Sequence, residues 1–380
     1  MHKQINQLRA ELMAQFPERK DVIDGSLAAI LAGEHVILIG PPGTAKSALV
    51  HALAQAFGGT YFERLLTKFS TPEELFGPIS LKALEQDRFV RVTAGKLPET
   101  QFAFIDEIFK SNSAVLNSLL SVINERTFFN DGAPMQCPLV SLFGASNELP
   151  EGKELEALFD RFLLRFDVGY LLVASNLRHI LTASEPSIAT KLTIDDLLRA
   201  QAEAAAVKIT DETIDALLSI RDACRGEGVV ASDRRWKKSL KLVKSAAWLA
   251  GEKKTCPEDL RILVDSLWRV PAERSKVARL VGTLSDPASM QSVEILDAAR
   301  EIATKVASLK SGDRKLYIGQ AAQAVEQFDA QQVKLTDLAK SGGRRAKVVI
   351  ADAVAEIQGL HAEVARAVSA GLGLGLRSLR

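Results

Sequence analysis

The sequence contains few of the residues that mark a disulfide-bonded, metal-binding or membrane-spanning protein. It has only three cysteines among 380 residues. Cys137, Cys224 and Cys256 are too far apart in the chain to form a Cys-x-x-Cys pair or a zinc-ligand pattern. No apolar run approaches the length of a membrane span, and the polar N-terminus lacks the apolar core of a signal peptide. We therefore expect a cytoplasmic protein with reduced thiols and no membrane span.

An excess of charge of either sign is also absent. Lys and Arg together number 48, and Asp and Glu number 47, which leaves a formal net charge of +1. Proteins that bind nucleic acid usually carry a basic excess, so this balance weighs against nucleic acid as a partner. The hydrophobic fraction of 47% and the charged fraction of 25% are ordinary for a soluble globular protein, and the length favours two or three domains.

Short apolar runs in the first half of the chain predict a parallel β-sheet. The runs cover 35–40, 102–106 and 138–146, and each is followed by polar residues and then by a helix-like stretch. Continuous apolar runs of this length are typical of strands that are buried on both faces of a sheet. The stretch 161–170 predicts one more strand. We therefore expect an α/β domain over residues 1–172.

Helical periodicity replaces these runs from about residue 173. In "DRRWKKSLKLVKSAAW" the apolar residues fall on one stripe of a helix, and Ser232 is a candidate N-cap. The stripe consists of Trp236, Leu240, Val243 and Ala247. The pattern predicts an all-helical domain over residues 173–282.

The last hundred residues predict long helices of their own. Apolar residues spaced by three, four and seven over 283–372 indicate a helical hairpin or coiled coil. The stretches 310–314 and 340–345 are the expected breaks. The Gly-rich tail 373–380 is expected to be flexible.

The stretch "GPPGTAKS" nearly fits the phosphate-binding loop, Gly-x-x-x-x-Gly-Lys-Ser/Thr. It follows a predicted buried strand and precedes an apolar helix pattern, which is the context that such a loop requires. Backbone N–H groups of residues 43–47 would surround a β-phosphate, Lys46 would reach the β- and γ-phosphates, and the Ser47 hydroxyl would ligate Mg²⁺. The expected nucleotide-binding residues of the loop are Gly40, Pro41, Pro42, Gly43, Thr44, Ala45, Lys46, Ser47 and Ala48.

Ala45 stands where the second glycine of this pattern belongs. The residue before the lysine lies where the loop turns into the helix, so we expect it to have a negative φ. Its Cβ would then point away from the phosphates, and alanine favours the helix more than glycine does. On this interpretation the substitution leaves nucleotide binding intact.

A second element of the same chemistry is "FAFIDE", in which an apolar strand ends in Asp106 and Glu107. This is the Walker B arrangement. Asp106 would hold the magnesium ion through water, and Glu107 would polarise the water that attacks the γ-phosphate. Asn147, at the tip of the next predicted strand, could hold the same water or the γ-phosphate. Together the motifs predict that the protein binds ATP and Mg²⁺.

The stretches "GPPGTAKS", "FIDEIFKSNSAVLNSLLSVINER", "ASNELPE" and "LFDRFLLR" together resemble the MoxR branch of the AAA+ ATPases, and most closely its RavA-type members. The resemblance covers about residues 5 to 280. It implies a P-loop core with a parallel five-stranded sheet, a helical lid, and a homo-oligomeric ring, typically a hexamer, with ATP bound between neighbours. It also implies ATP hydrolysis.

The resemblance assigns roles to arginines that the motifs alone do not explain. Arg161 matches the arginine finger that completes the site of the neighbouring subunit, and Arg165, four residues later, is the alternative. Arg234 matches the sensor 2 residue, which reaches from the lid to the γ-phosphate, and Arg235 is the alternative. Without such roles, these side chains would be a strand arginine in a surface ion pair and a solvated helix start.

Two insertions and an N-terminal segment complete the resemblance. Residues 75–99 and 124–139 resemble hairpins that line the pore and touch the client in related ATPases, although both could be ordinary connections. The segment 16–27 lies where the family packs the adenine ring, which would involve Val22 and Ile23.

The resemblance implies a machine that uses ATP to remodel or mature client protein complexes, with a partner that carries a von Willebrand A (vWA) domain. Two alternatives remain open, an AAA+ DNA motor and a nucleotide-gated scaffold without significant hydrolysis. A pure nucleotide-binding scaffold needs none of Glu107, Asn147 and Arg161. RavA-type proteins also carry a β-rich domain in their C-terminal region, which this sequence does not predict, so that domain's contacts are not carried over.

Overall fold

The computed structural model describes residues 1–182, 188–309 and 314–372. Five of its strands form one sheet, and two form a separate hairpin. The strands are β1 (Val36–Ile39), β2 (Tyr61–Leu65), β3 (Phe102–Asp106), β4 (Thr127–Asn130), β5 (Ala133–Gln136), β6 (Ser141–Ser146) and β7 (Leu164–Asp167).

The five-stranded sheet has the order β2-β3-β6-β1-β7, and all neighbouring strands are parallel. The predicted parallel five-stranded sheet is confirmed. β1, β3 and β6 arise from the three predicted apolar runs, and the fourth predicted strand is shortened to β7. The edge strand β2 is half-exposed or exposed at four of its five residues, so it shows no apolar run.

Helices account for most of the remaining regular structure of the described residues. They are α1 (His2–Gln15), α2 (Lys20–Ala32), α3 (Lys46–Ala56), α4 (Pro72–Phe76), α5 (Leu81–Leu84), α6 (Ser113–Glu125), α7 (Lys153–Phe159), α8 (Ala174–Thr182), α9 (Ile194–Ala205), α10 (Asp211–Gly226), α11 (Asp233–Leu249), α12 (Val264–Leu267), α13 (Pro271–Ser285), α14 (Pro287–Ser308), α15 (Arg314–Ser341) and α16 (Arg344–Leu372).

The chain divides into two compact units. Residues 1–215 and 224–277 form the first unit, and residues 216–223 together with those from 278 onward form the second. Within the first unit, one hydrophobic core joins the sheet to the helices predicted as a lid, because Leu197 of α9 and Leu242 and Trp248 of α11 are buried with residues of α2, β1 and β3. The lid helices therefore pack directly on the α/β layer.

Arg235 ties α11 to the segment before β7. Its guanidinium is buried and donates to the carboxylate of Asp160 and to the backbone oxygens of Phe162, Leu163 and Ser266. The neighbouring Arg234 is exposed and donates one bond, to the Oδ1 atom of Asn124, at 2.9 Å. Ser232 caps the helix N-terminus by accepting from the Arg235 N–H group, as the sequence predicts.

The two predicted hairpin insertions contact each other. β4 and β5 are joined by Asp131 and Gly132, both with positive φ, as a tight hairpin turn requires. The 75–99 insertion closes through an antiparallel bridge between Ile79 and Arg91. The Asp131 carboxylate accepts from the Arg88 side chain and from the Phe89 N–H group, which fastens one hairpin to the other.

The second unit contains three long helices, α14, α15 and α16, which pack on one another. The predicted hairpin is therefore a three-helix arrangement. The predicted break at 340–345 falls between α15 and α16, whereas the break at 310–314 lies mostly outside the described residues. Val306, Ile350 and Ile357, from the predicted apolar faces, are buried in this unit's core. The predicted flexible tail, 373–380, lies outside the described residues.

The helices of the described ranges were also compared with the requirements of a membrane span. None of those helices is both long enough and apolar enough to cross a bilayer.

The contrast between Arg234 and Arg235 yields a stability prediction. Arg235→Met should lower the free energy of unfolding by about 3 kcal/mol or more, because the Asp160 carboxylate and four backbone oxygens, those of Asp160, Phe162, Leu163 and Ser266, lose their donor. Arg234→Met removes an exposed side chain and should change it by less than about 0.5 kcal/mol. All three tryptophans, Trp236, Trp248 and Trp268, lie in the first unit, so fluorescence during urea unfolding reports on that unit. Equal urea midpoints for the two variants would contradict the structural role assigned to Arg235.

Candidate functional site

The parallel sheet brings the predicted nucleotide motifs to one edge. The phosphate loop follows β1, Asp106 ends β3, and Asn147 follows β6, the strand between them. The Gly40 N–H group donates to the Ser146 backbone oxygen at 2.9 Å, which sets the start of the loop directly beside Asn147. The carboxyl edge of a parallel sheet is where ligands bind in folds of this kind.

The two glycines of the loop occupy positions that other residues adopt only with strain. Gly40 has a φ of 149°, and a Cβ atom there would lie 2.2 Å from the Val168 backbone oxygen. Gly43 has a φ of 76° in open space. Gly40 is therefore required by the close approach of the chain after β7, and Gly43 by the turn of the loop itself.

The expectation for Ala45 is wrong. Its φ is 62°, in the left-handed region, and it forms the N-cap of α3. The helical geometry begins one residue later than the sequence argument assumed, so the position keeps the backbone conformation that favours glycine. Alanine here costs about 1 kcal/mol of conformational strain. The side chain is exposed, so the strain arises from the backbone.

Lys46 lies within the curve of the loop. Its ammonium group donates to the backbone oxygens of Gly40 at 2.9 Å and Pro41 at 2.8 Å. Partial burial lowers the pKa of Lys46 from its ordinary value, while the nearby carboxylates of Asp106 and Glu107 oppose this shift. The loop lysine and the acidic pair are thus close enough to interact electrostatically, as a site for a metal–phosphate complex requires.

Glu107, which follows β3 directly, has a buried carboxylate oxygen that makes no hydrogen bond within the described residues. Its Oε2 atom is buried and has no hydrogen-bond partner among the described residues; the Lys110 ammonium lies 3.5 Å away as an ion pair. The Glu107 backbone is left-handed, with a φ of 52°, and its N–H group donates to the Asp106 carboxylate at 3.0 Å. A buried acceptor that lacks a donor fits a water molecule held against a phosphate. The residues therefore fit ATP with Mg²⁺.

The other residues predicted to contact the nucleotide differ in how exposed they are. Asn147 is exposed at the strand tip. Val22 and Ile23 lie in α2, with 6% and 0% of their surfaces exposed, and both pack in the hydrophobic core. Their side chains are covered by protein in this conformation, and their contact with adenine stays a prediction. Sequence reasoning missed Arg19, whose positive charge acts on Lys46 and whose side chain donates to the Gly169 backbone oxygen.

Two arginines lie together at the opposite edge of the sheet. Arg161 precedes β7, and the Leu163 N–H group donates to the backbone oxygen of His35, the residue before β1. Arg234 bonds Asn124, in the last turn of α6, and its positive charge together with burial lowers the pKa of Arg161. The Arg161 Nε atom is buried and has no hydrogen-bond partner among the described residues. A pair of partly exposed cations here is suited to an anion from outside the subunit.

The two alternative arginines have structural contacts instead. Arg165 is 2% exposed, donates to the Trp268 backbone oxygen, and stacks 4.0 Å above the Phe159 ring. Arg235 is 3% exposed and holds α11. Neither side chain can reach another molecule from this position, so the choice left open by the sequence falls on Arg161 and Arg234. The ion pair considered for Arg165 is buried rather than on the surface.

The length of β1 separates the arginine pair from the phosphate loop. The strand has four residues, which span about 13 Å at the usual rise per residue. Lys46 bonds the loop after the strand, whereas His35 and Leu163 mark its beginning. Arg234 lies with the residues that precede β1 rather than with the phosphate loop, and its contact with a γ-phosphate stays a prediction.

The left-handed backbone at Ala45 predicts that replacing alanine by glycine has opposite effects on stability at positions 45 and 48. Ala45→Gly should raise the free energy of unfolding by about 1 kcal/mol, because glycine adopts a positive φ without strain. Ala48→Gly, two residues into α3, should lower it by up to about 1 kcal/mol, because its φ is helical. Urea unfolding followed by tryptophan fluorescence measures both. A loss of stability in Ala45→Gly would contradict the left-handed assignment.

Comparison with known proteins agrees with this geometry. The sequence model of the MoxR domain found in MoxR–vWA–β-propeller ternary systems matches residues 3–205, and that of an AAA lid domain matches residues 212–281. An uncharacterised protein of Methanocaldococcus jannaschii is 44% identical over 299 residues, which are 77% of this chain and 80% of that protein. The chaperone MoxR1 of Mycobacterium tuberculosis is 28% identical over 54% of this chain and 55% of its own length.

A solved structure shares the fold. A candidate ATPase from Cytophaga hutchinsonii, known from a crystal structure, matches with a TM-score of 0.60 and 20% identity over 74% of this chain and 93% of its own. The family matches span more than half of the chain and contain both the phosphate loop and the acidic pair. This chain belongs to the MoxR family of AAA+ ATPases.

Proposed function

We propose that the protein hydrolyses ATP at a site that is split between two copies of the chain, arranged in a ring that is typically hexameric in this family. The observation that carries the proposal is the position of the two half-sites. The phosphate loop and acidic pair lie at the carboxyl edge of the sheet, and Arg161 and Arg234 lie at its amino edge. A head-to-tail interface joins two such edges and closes into a ring when the rotation permits.

Residues of the loop and of β3 would carry out the first part of the chemistry. Lys46, already within the loop, would neutralise charge on the β- and γ-phosphates. Ser47 and Asp106 are the protein groups that would hold Mg²⁺, which draws electron density from the phosphate oxygens when bound. Glu107, with its unbonded buried oxygen, would accept a hydrogen bond from the attacking water and orient it. Asn147, exposed beside Gly40, would hold the same water or the γ-phosphate.

Arg161 and Arg234 would complete the site from the neighbouring subunit. A guanidinium group stabilises the charge that develops on the transferred phosphoryl group in other P-loop enzymes. Burial lowers the pKa of Arg161, and the positive charge of Arg234 adds to the shift, because the two guanidinium groups repel each other. An anionic phosphate between them would relieve that repulsion. The arrangement therefore favours binding of a neighbour's ATP over an unoccupied interface.

The work performed with this energy is proposed to be the remodelling or maturation of client protein complexes together with a vWA-domain protein. The description of the matching family names vWA proteins as members of the same systems. The two hairpins, joined through Asp131, offer a surface for such contacts. Phe89 and Phe129 lie near this junction and are nevertheless 65% and 57% exposed. Large exposed aromatic side chains mark interaction sites.

Mixing two inactive variants tests the split site. Arg161→Ala and Glu107→Gln rings should each bind ATP and hydrolyse almost none. In an equimolar mixture, an Arg161→Ala subunit can receive its finger from a Glu107→Gln neighbour, so about a quarter of the interfaces should regain activity if subunits mix randomly around a head-to-tail ring. The control mixes Arg161→Ala with the double variant Arg161→Ala/Glu107→Gln, which supplies no finger. An inactive first mixture, with mixed rings visible by native mass spectrometry, would reject the trans role.

The same approach decides on which subunit Arg234 acts. If Arg234 and Arg161 serve the same neighbour, a mixture of Arg234→Ala and Arg161→Ala stays inactive, because every interface lacks one of the two arginines. If Arg234 served its own subunit, Arg161→Ala subunits would be rescued by Arg234→Ala neighbours. We expect no rescue, and rescue in this pair alone would return Arg234 to its own subunit's site.

The hairpin surface is tested in a variant that holds ATP. Glu107→Gln should retain its client and vWA partner during purification, and adding Phe89→Ser and Phe129→Ser should release them. Leu198→Ser, which changes a 52% exposed leucine on α9, is the matched control and should release nothing. Mass spectrometry identifies the retained proteins. If the variant with both phenylalanines replaced still retains the client and the partner in full, the hairpins do not form the client surface.

A further inference from the structure

Helix α8 presents an apolar stripe that nothing within the described chain covers. Val173, Leu177, Ile180 and Leu181 are spaced by four, three and one residues, so they share one face of the helix. They are 49%, 49%, 50% and 75% exposed, and no residue of α8 is buried. A helix of nine residues gains little stability by itself, so a stripe of this kind indicates a partner surface.

The start of this helix is fastened beside the phosphate loop. The Glu18 carboxylate accepts from the N–H groups of Leu172 and Val173 and from the Asn176 amide. The adjacent Arg19 donates to the Gly169 backbone oxygen and acts electrostatically on Lys46. The apolar stripe is therefore part of the same face of the subunit as the entrance to the nucleotide site.

A groove of about 580 Å³ borders the arginine pair. Its lining mixes charged side chains, among them Lys153, Glu156, Arg269 and Glu273, with the apolar residues Leu149, Pro150, Ala157, Val230, Ala231 and Val270. Val230 is 62% exposed and Val270 is 42% exposed, which is unusual for valines in a concave surface. Asp160 and Arg235 line both this groove and the small pocket that contains Arg161 and Arg234. The groove thus borders the half-site that would serve a neighbour.

We propose that α8 of one subunit packs its apolar stripe into this groove of the next subunit. The inference rests on the proposed split site, since that site places the loop face of one copy against the arginine face of another. The stripe adjoins one half-site and the groove adjoins the other, so joining the half-sites brings the stripe and the apolar part of the groove to the same interface. A helix laid into an apolar groove is a common mode of protein recognition. Contact at α8 would also fix the position of residues 168–173 beside Gly40 when the neighbour's arginines are in place.

The test uses one variant on each surface. Leu181→Glu places a charge on the stripe and Val230→Glu places one in the groove, and each should abolish assembly and ATP hydrolysis. Both side chains are exposed in the single chain, so ATP affinity and melting temperature should not change. Mixed together, the variants share one intact interface, between α8 of the Val230→Glu subunit and the groove of the Leu181→Glu subunit. The expected product is a 1:1 heterodimer that does not grow further.

The heterodimer also has a defined active subunit. Its single complete site combines the phosphate loop of the Val230→Glu subunit with Arg161 of the Leu181→Glu subunit. Adding Glu107→Gln to the Val230→Glu subunit should abolish the recovered turnover, whereas adding it to the Leu181→Glu subunit should leave the turnover unchanged. Leu198→Glu, at a comparably exposed leucine on α9, is the control and should assemble as the wild-type chain does.

Three outcomes would overturn the proposal. Normal assembly of Leu181→Glu would show that the stripe lies outside the interface. A mixture that stays monomeric while Arg161→Ala and Glu107→Gln still complement each other would remove the α8–groove contact alone and leave the split site intact. Failure of the wild-type chain to assemble with ATP would remove the split site and this interface together.

Discussion

The direction of the strands is the constraint on which the rest of the structure depends. Because all five strands are parallel, the residues that follow β1, β3 and β6 meet at one edge, and the residues that precede β1 and β7 meet at the other. The loop that fits phosphate and the arginines that fit the same phosphate are on opposite edges. The four residues of β1 lie between them, and the lid helices pack on the sheet. The split site proposed above rests on this separation.

Two of the six non-glycine residues with positive φ among the described residues lie at the carboxyl edge of the sheet. Ala45 and Glu107 both adopt left-handed conformations that side chains with a Cβ atom disfavour. Such strain persists only where the surrounding structure fixes the conformation, and it often accompanies function. At Ala45 the strain shapes the end of the phosphate loop. At Glu107 it accompanies a carboxylate whose Oε2 atom is buried with no hydrogen-bond partner in the described chain.

The sequence predicted the buried parts of the fold and the motifs of the nucleotide site, because each depends on local pattern. β1 is apolar throughout, and β3 and β6 are apolar except at their ends; the phosphate loop follows β1, and the acidic pair lies at the end of β3. The edge strand β2 escaped detection from its pattern because only Phe62 of its five residues is fully buried. The φ of Ala45 could not be inferred from the sequence, because it depends on the residue at which α3 begins. A shift of that start by one residue changes the sign of φ.

The sorting of the arginines required the structure for a similar reason. Arg234 and Arg235 are adjacent in one helix, so they differ in direction by about 100°, and only the packing of α11 decides which of them is buried. Arg161 and Arg165 differ because the second lies within β7, between the sheet and the Phe159 ring. The position of Arg234 beside Arg161, and not beside Lys46, likewise follows from tertiary contacts that no motif encodes.

The account's central claim is that one copy of the chain cannot complete the site. Its most direct test is the rate of ATP hydrolysis per subunit of the wild-type protein, measured over a wide range of protein concentration beside light scattering and ATP affinity. The account predicts that turnover per subunit falls towards zero on dilution, in step with the loss of assembly, while a single subunit still binds ATP through its phosphate loop. Constant turnover per subunit in solutions that contain only monomers would contradict it.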